Sequence, residues 1–288
     1  MLRRDRLRLV VAAVALLLAA CGPRALQNTD NEPVAGDQIR AGRALLNSGD
    51  VDGALEFWDG LVQEHPGSWE AHRGLQDTLR ARLPGQEFEA RYRAARDRAP
   101  GEGLAWYLWG RARIDHDAEA FEAFSRAVEL APMSPWPPAA LAYLRWRAGD
   151  LFLTVETYEE AIERLPGSAT LRLLLGNQLI TLRLTIAAQR HLEIARRLDP
   201  ENPDILAALG KTYVQLDRPQ AGGLLLEQAL ERNPRMGDVC IALAQVYLFD
   251  RRIDEAEGMY RRALELGIDR DDELYGAIRA AKLVESNR

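Results

Sequence analysis

Four histidines, two cysteines and a scatter of carboxylates are the residues of this 288-residue chain best equipped for chemistry. His65, His72, His116 and His191 stand far apart, and no HExxH, CxxC, GxSxG or P-loop pattern occurs. Cys21 and Cys240 cannot build a disulfide framework, and four ligands for a structural zinc are lacking. Glu159-Glu160 and Asp271-Asp272 suit solvated faces or helix N-terminal charge better than acid–base pairs. Gly222-Gly223 has no following Lys-Ser/Thr, which favours close packing over a phosphate cradle. The expectation is no enzyme, no metal and no cofactor, with Cys240 a small buried hydrophobe.

The composition agrees with a folded protein. It is 47% hydrophobic and 28% charged, with a net charge of -6. The basic residues are nearly all arginine and form no concentrated stripe, so nucleic acid is not expected as a partner.

Cys21 has a different chemistry in prospect. Arg3, Arg4, Arg6 and Arg8 precede an uncharged apolar run from Leu9 to Ala20. That run suits a signal peptide and is too short to span a bilayer as a stable helix. Its end, Leu18-Ala19-Ala20-Cys21, resembles the lipobox of bacterial lipoprotein precursors. The resemblance implies cleavage after residue 20, acylation of Cys21 and stable membrane attachment through several chains on one cysteine. Gly22 in place of an aspartate leans towards the outer membrane, with the body facing the periplasm. Residues 21–36 read as the lipidated N-terminus and a flexible tether.

The elements that would position any binding residues are set by a repeat. Pro66, Pro100, Pro132, Pro166, Pro200 and Pro234 are spaced 34, 32, 34, 34 and 34 residues apart. Five residues before them come Leu61, Ala95, Ala127, Ala161, Ala195 and Ala229, continued by Ala263. Eight residues before them come Trp58, Tyr92, Phe124, Tyr158, Leu192 and Leu226, continued by Tyr260. A small residue recurs earlier in the unit at Gly42, Gly110, Ala142, Gly176, Gly210 and Ala244, with Gln76 as the exception. Apolar residues at i, i+3, i+4 and i+7, as at Leu171, Leu174 and Leu175, predict a first helix in each unit. Proline stops the second helix. The third unit is two residues short, and the shortening is expected in its turn at Asp115-His116-Asp117.

This register resembles the tetratricopeptide repeat, a helix–turn–helix unit. The resemblance implies an all-α, right-handed superhelix of about seven repeats over residues 37–268, closed by a capping helix within 269–288. It also implies a concave groove lined by the second, fifth, ninth and twelfth positions of each first helix. Mapped onto the third to sixth units, those positions yield the candidate partner-binding residues Tyr107, Arg111, Trp136, Tyr143, Trp146, Asn177 and Lys211. Aromatic side chains and arginine dominate interface energetics. An alternative for Trp136 and Trp146 is packing between helices. The expected function is a membrane-anchored adaptor in envelope assembly, binding a protein or peptide in the groove. A competing expectation is a groove that binds saccharide, as in exopolysaccharide export.

Overall fold

The computed structural model describes Val34 and residues 36–286. The signal-like segment, Cys21 and most of the tether lie outside the described residues. Within the described residues the chain forms fifteen α-helices and no strand. They pair as α1 (Gly36–Asn47) with α2 (Val51–Glu64), α3 (Trp69–Arg82) with α4 (Gly85–Arg98), and α5 (Gly103–Ala112) with α6 (Asp117–Leu130). Next come α7 (Trp136–Arg147) and α8 (Leu151–Arg164), α9 (Ala169–Thr181) and α10 (Thr185–Leu198), and α11 (Pro203–Gln215) and α12 (Pro219–Arg232). The last hairpin is α13 (Gly237–Phe249) with α14 (Ile253–Glu265), followed by the lone helix α15 (Asp272–Ser286).

Helix ends follow local chemistry. Ser68, Ser168 and Asn202 precede α3, α9 and α11, and their side-chain oxygens accept backbone N–H groups of the first turn. The last N–H of each second helix is donated to the carbonyl of the residue five before the proline, as in His65 to Leu61 and Asp199 to Ala195, both 2.9 Å. The proline then cannot extend the ladder. In five of the seven hairpins one residue of the turn takes positive φ: Gly49, Gly149, Arg183, Asp217 and Arg251. The left-handed turn is therefore built by glycine twice and by larger residues three times.

Packing explains the register of small and large residues. A Cβ on Gly110 would fall 2.6 Å from the Phe124 ring, and one on Gly176 would fall 2.7 Å from Leu192. Trp58 is larger and needs two such gaps, at Gly42 in its own hairpin and Gly74 in the next. Trp58, Tyr92, Phe124, Tyr158, Leu192, Leu226 and Tyr260 are all buried. Full burial of such a side chain stabilises by about 2–3 kcal/mol. Gly222 brings α12 against α11, because a Cβ there would lie 2.6 Å from the Gly210 carbonyl oxygen.

Two expectations are refined. The shortening of the third unit falls in its first helix, which has 10 residues, and not in the turn. Arg113 closes that shorter helix by bonding Glu89 and Glu119. Gln76, the misfit in the second unit, is 1% exposed and donates Nε2 to the Leu108 carbonyl of α5 at 2.7 Å. It joins two hairpins by a hydrogen bond, at the repeat position where Gly110 and Gly176 pack against the large residue of their own hairpin.

The chain divides into two compact units within α8, after Thr157. The N-terminal unit has a core that includes Trp58, Phe88, Tyr107, Trp109 and Phe124. The C-terminal unit has a core that includes Leu192, Leu226, Val239, Leu243 and Tyr260, and α15 covers it with Leu274 and Ile278. Cys240 is fully buried there, and burial pushes its thiol pKa up.

Candidate binding surface

In the N-terminal unit the first helices α1, α3 and α5 pack side by side. Positions of one face of α3 present Glu70, Arg73 and Asp77 at a helical spacing. Trp136, at the start of α7, reaches this face. Its indole Nε1 donates to Glu70 Oε1 at 3.0 Å, and the Arg73 guanidinium carbon lies 3.6 Å from its ring centroid. Arg111 of α5 donates Nη2 to Asp77 Oδ1 at 2.6 Å. Arg80 donates to the Arg111 carbonyl, and Arg147 donates to the Ile114 carbonyl at 2.7 Å while pairing with Asp117. Alternating guanidinium, carboxylate and indole groups thus connect α3, α5 and α7.

Five of the seven residues expected at the groove lie in this unit. Arg111 and Trp136 belong to the network just described. Tyr143 is 43% exposed, and its ring centroid lies 5.9 Å from that of the half-buried Trp146. Tyr107 is a correction: it is 3% exposed, wedged between Trp69 at 5.2 Å and Phe124 at 5.8 Å. It belongs to the core because its helix position faces the preceding first helix, and burial pushes its pKa up. The other two residues lie in the C-terminal unit. Asn177 is exposed on α9, and Lys211 on α11 is engaged with Asp238.

Arg73, Glu70, Asp77, Arg43 and Trp58 were not among the expected residues. The signal that could have found three of them is positional. Glu70, Arg73 and Asp77 hold the second, fifth and ninth places of the second unit, the one whose Gln76 breaks the pattern.

Two hollows adjoin this network. A crevice of about 30 Å³ is lined by Arg43, Leu46, Trp58, Glu70, Arg73, Gly74 and Asp77. A cleft of about 510 Å³ shares Glu70 and is walled by Trp69, Pro132, Met133, Pro135 and Trp136.

Reactive constellations are scarce by comparison. His72 contacts the Pro66 carbonyl at 2.9 Å through Nε2, and burial lowers its pKa. His191 lies 3.4 Å from Glu159, and burial lowers its pKa as well. Among the described residues no group of three or more His, Cys, Asp and Glu could hold a metal ion, and no helix is long and apolar enough to cross a membrane.

Two segments match tetratricopeptide-repeat family profiles, residues 38–68 and residues 219–281. A search of curated protein sequences found no match. Among solved structures, the APC/C hetero-tetramer Cut9–Hcn1 is similar at 17% identity, over 93% of this chain and 52% of that one, with a TM-score of 0.61. Yeast Tom70 is similar at 16% identity, over 91% of this chain and 66% of that one, with a TM-score of 0.62. PilF of Pseudomonas aeruginosa is similar at 23% identity, over 67% of this chain and 87% of that one, with a TM-score of 0.58. The chain spans about half the length of the first of these. The all-α hairpin architecture is that of tetratricopeptide proteins, and repeats of that family are present in both units.

Proposed function

We propose that the chain is a protein-binding scaffold of the bacterial cell envelope, held at the outer membrane by a lipid on Cys21 and facing the periplasm. The observation that carries the binding half is the surface on the first helices of the N-terminal unit. There Arg73, Arg111, Trp136, Tyr143 and Trp146 combine partial exposure with guanidinium and aromatic chemistry. Such groups bury large area and keep a polar handle, which suits protein recognition. The family fold supports the same reading, because its hairpins stack into extended surfaces suited to a partner chain. The anchoring half is supported by the basic leader, the apolar run and the Leu18-Ala19-Ala20-Cys21 motif.

Crosslinking and pull-down from envelope extracts, with wild type against a Tyr143→Ala/Trp146→Ala variant, tests the binding half. Partners captured by wild type should be lost or weakened in the variant; unchanged partners defeat this surface. Glycan binding at the Tyr143–Trp146 pair, with no protein captured, would favour a saccharide ligand instead. Cys21→Ser should move the protein from membranes to the soluble fraction, and continued retention defeats the anchor.

A further inference from the structure

The cleft of about 510 Å³ on the N-terminal unit has walls from three places in the chain. Residues 67–70 belong to the α2–α3 connection and the start of α3. Residues 130–136 belong to the end of α6, the connection that follows and the start of α7. The third wall is Val34, just ahead of α1. Val34 is 7% exposed and belongs to the core against which Trp69 and Trp136 pack. A tether residue is thus already seated where a partner would enter.

Val34 alone leaves part of the cleft open. Met133 at the rim is 74% exposed, and Pro132 beside it is exposed too. Ser134 adds a polar signal: its Oγ is buried and has no hydrogen-bond partner among the described residues. A buried hydroxyl without a partner is uncommon and calls for one. The sequence supplies a segment that fits both signals. Pro33 precedes Val34, and Asp30-Asn31-Glu32 precede it. Proline has a fixed φ and holds the residue before it extended, so such a segment loses little entropy on seating. Aromatic-lined grooves receive proline-containing segments for that reason. The backbone carbonyls of Glu32 and Pro33 are acceptors that Ser134 Oγ can use. The apolar walls and Glu70 do not suit the carboxylates of Asp30 and Glu32, so the insertion ends at Pro33.

We propose that this cleft is the seat of the chain's own tether. Pro33 and Val34 occupy it, and Ser134 Oγ donates to a backbone carbonyl of the same segment. A partner segment must displace them to reach Trp69 and Trp136. The competition with a partner rests on the protein-binding reading above; the seating does not.

The test is an indole ¹H–¹⁵N titration of the full chain, with resonances assigned by Trp69→Phe and Trp136→Phe. The added peptide is acetyl-Asn-Glu-Pro-Val-Ala-Gly-amide, the sequence of residues 31–36. Its control carries Gly-Ser in place of Pro-Val. In Pro33→Gly/Val34→Ser the seat is vacated, so both indoles should move from their wild-type positions. The peptide should return them saturably, and the control should not. Wild type should need about tenfold more peptide, the penalty when about nine-tenths of the seats are filled by the chain itself. Ser134→Ala in the double variant should weaken the peptide by about threefold. Pro33→Gly alone should need an intermediate amount, and it keeps the test valid if the double change disturbs folding. Equal peptide requirements of wild type and the double variant overturn the inference and leave the cleft open to partners. Equal response to the control, or indoles unmoved by the double change, overturn it as well. Envelope pull-down should recover more partner with the double variant than with wild type, and equal recovery overturns the competition. If neither captures a partner, the scaffold reading falls and the titration alone decides the seat.

Discussion

The Arg73 guanidinium sits over the Trp136 ring, its central carbon 3.6 Å from the ring centroid, and thereby ties the second hairpin to the fourth. Neither residue faces a neighbour in its own hairpin through this contact. Glu70 completes the arrangement by accepting the indole N–H at 3.0 Å. The surface that a partner would meet is therefore organised by contacts between repeats.

That contact has a measurable energy. A double-mutant cycle on Arg73→Ala and Trp136→Leu should yield a coupling of about 0.5–2 kcal/mol, the range for a cation–π pair between exposed and desolvated settings. Urea unfolding followed by circular dichroism reads it. Additive effects of the two changes would mean that the stacking contributes nothing.

Two glycines should respond to alanine in opposite directions. A Cβ on Gly74 would fall 2.4 Å from the Trp58 ring, whereas one on Gly60 meets nothing within 4 Å. Gly74→Ala should destabilise by about 1–3 kcal/mol through overpacking. Gly60→Ala, inside helix α2, should stabilise by about 0.5–1 kcal/mol through helix propensity. Thermal unfolding of the two variants checks both signs, and similar shifts for the pair would refute the packing account of Trp58.

Stability should fall as pH drops from 7.5 towards 5. Burial depresses the pKa of His72 and of His191 below the ordinary value, so the unfolded chain binds protons first. Their contribution is complete above about pH 6.5, the unfolded value, and is lost progressively as pH falls below it towards the folded values. The melting temperature measured against pH should decline in that window. The decline should be shallower in His72→Gln/His191→Gln, and an unaltered slope in that variant would assign it to other groups.

Much of the architecture was legible in the chain because one unit recurs. The prolines from Pro66 to Pro234, the aligned alanines and the large residues eight before each proline mark where second helices end and what fills each hairpin. These are local rules, and repetition makes each one visible several times. The second unit is the exception in that register. Gln76 breaks the pattern, yet its amide bonds the Leu108 carbonyl and its helix carries Arg73.

The expected surface was only partly legible. Position along a helix named Arg111, Trp136, Tyr143 and Trp146 as candidates, but it could not tell that Tyr107, one of the same set, is buried between Trp69 and Phe124. Sequence by itself determined the helical hairpins, their register and the lipobox-like leader, because these depend on spacing along the chain. Tertiary structure alone decided which arginines are paired and which donors stay unpaired. It also decided that Trp58 fills gaps at Gly42 and Gly74. The reason is that burial and hydrogen-bond satisfaction are set by neighbours one and two repeats away, where each side chain meets a different partner although its place in the repeat is the same.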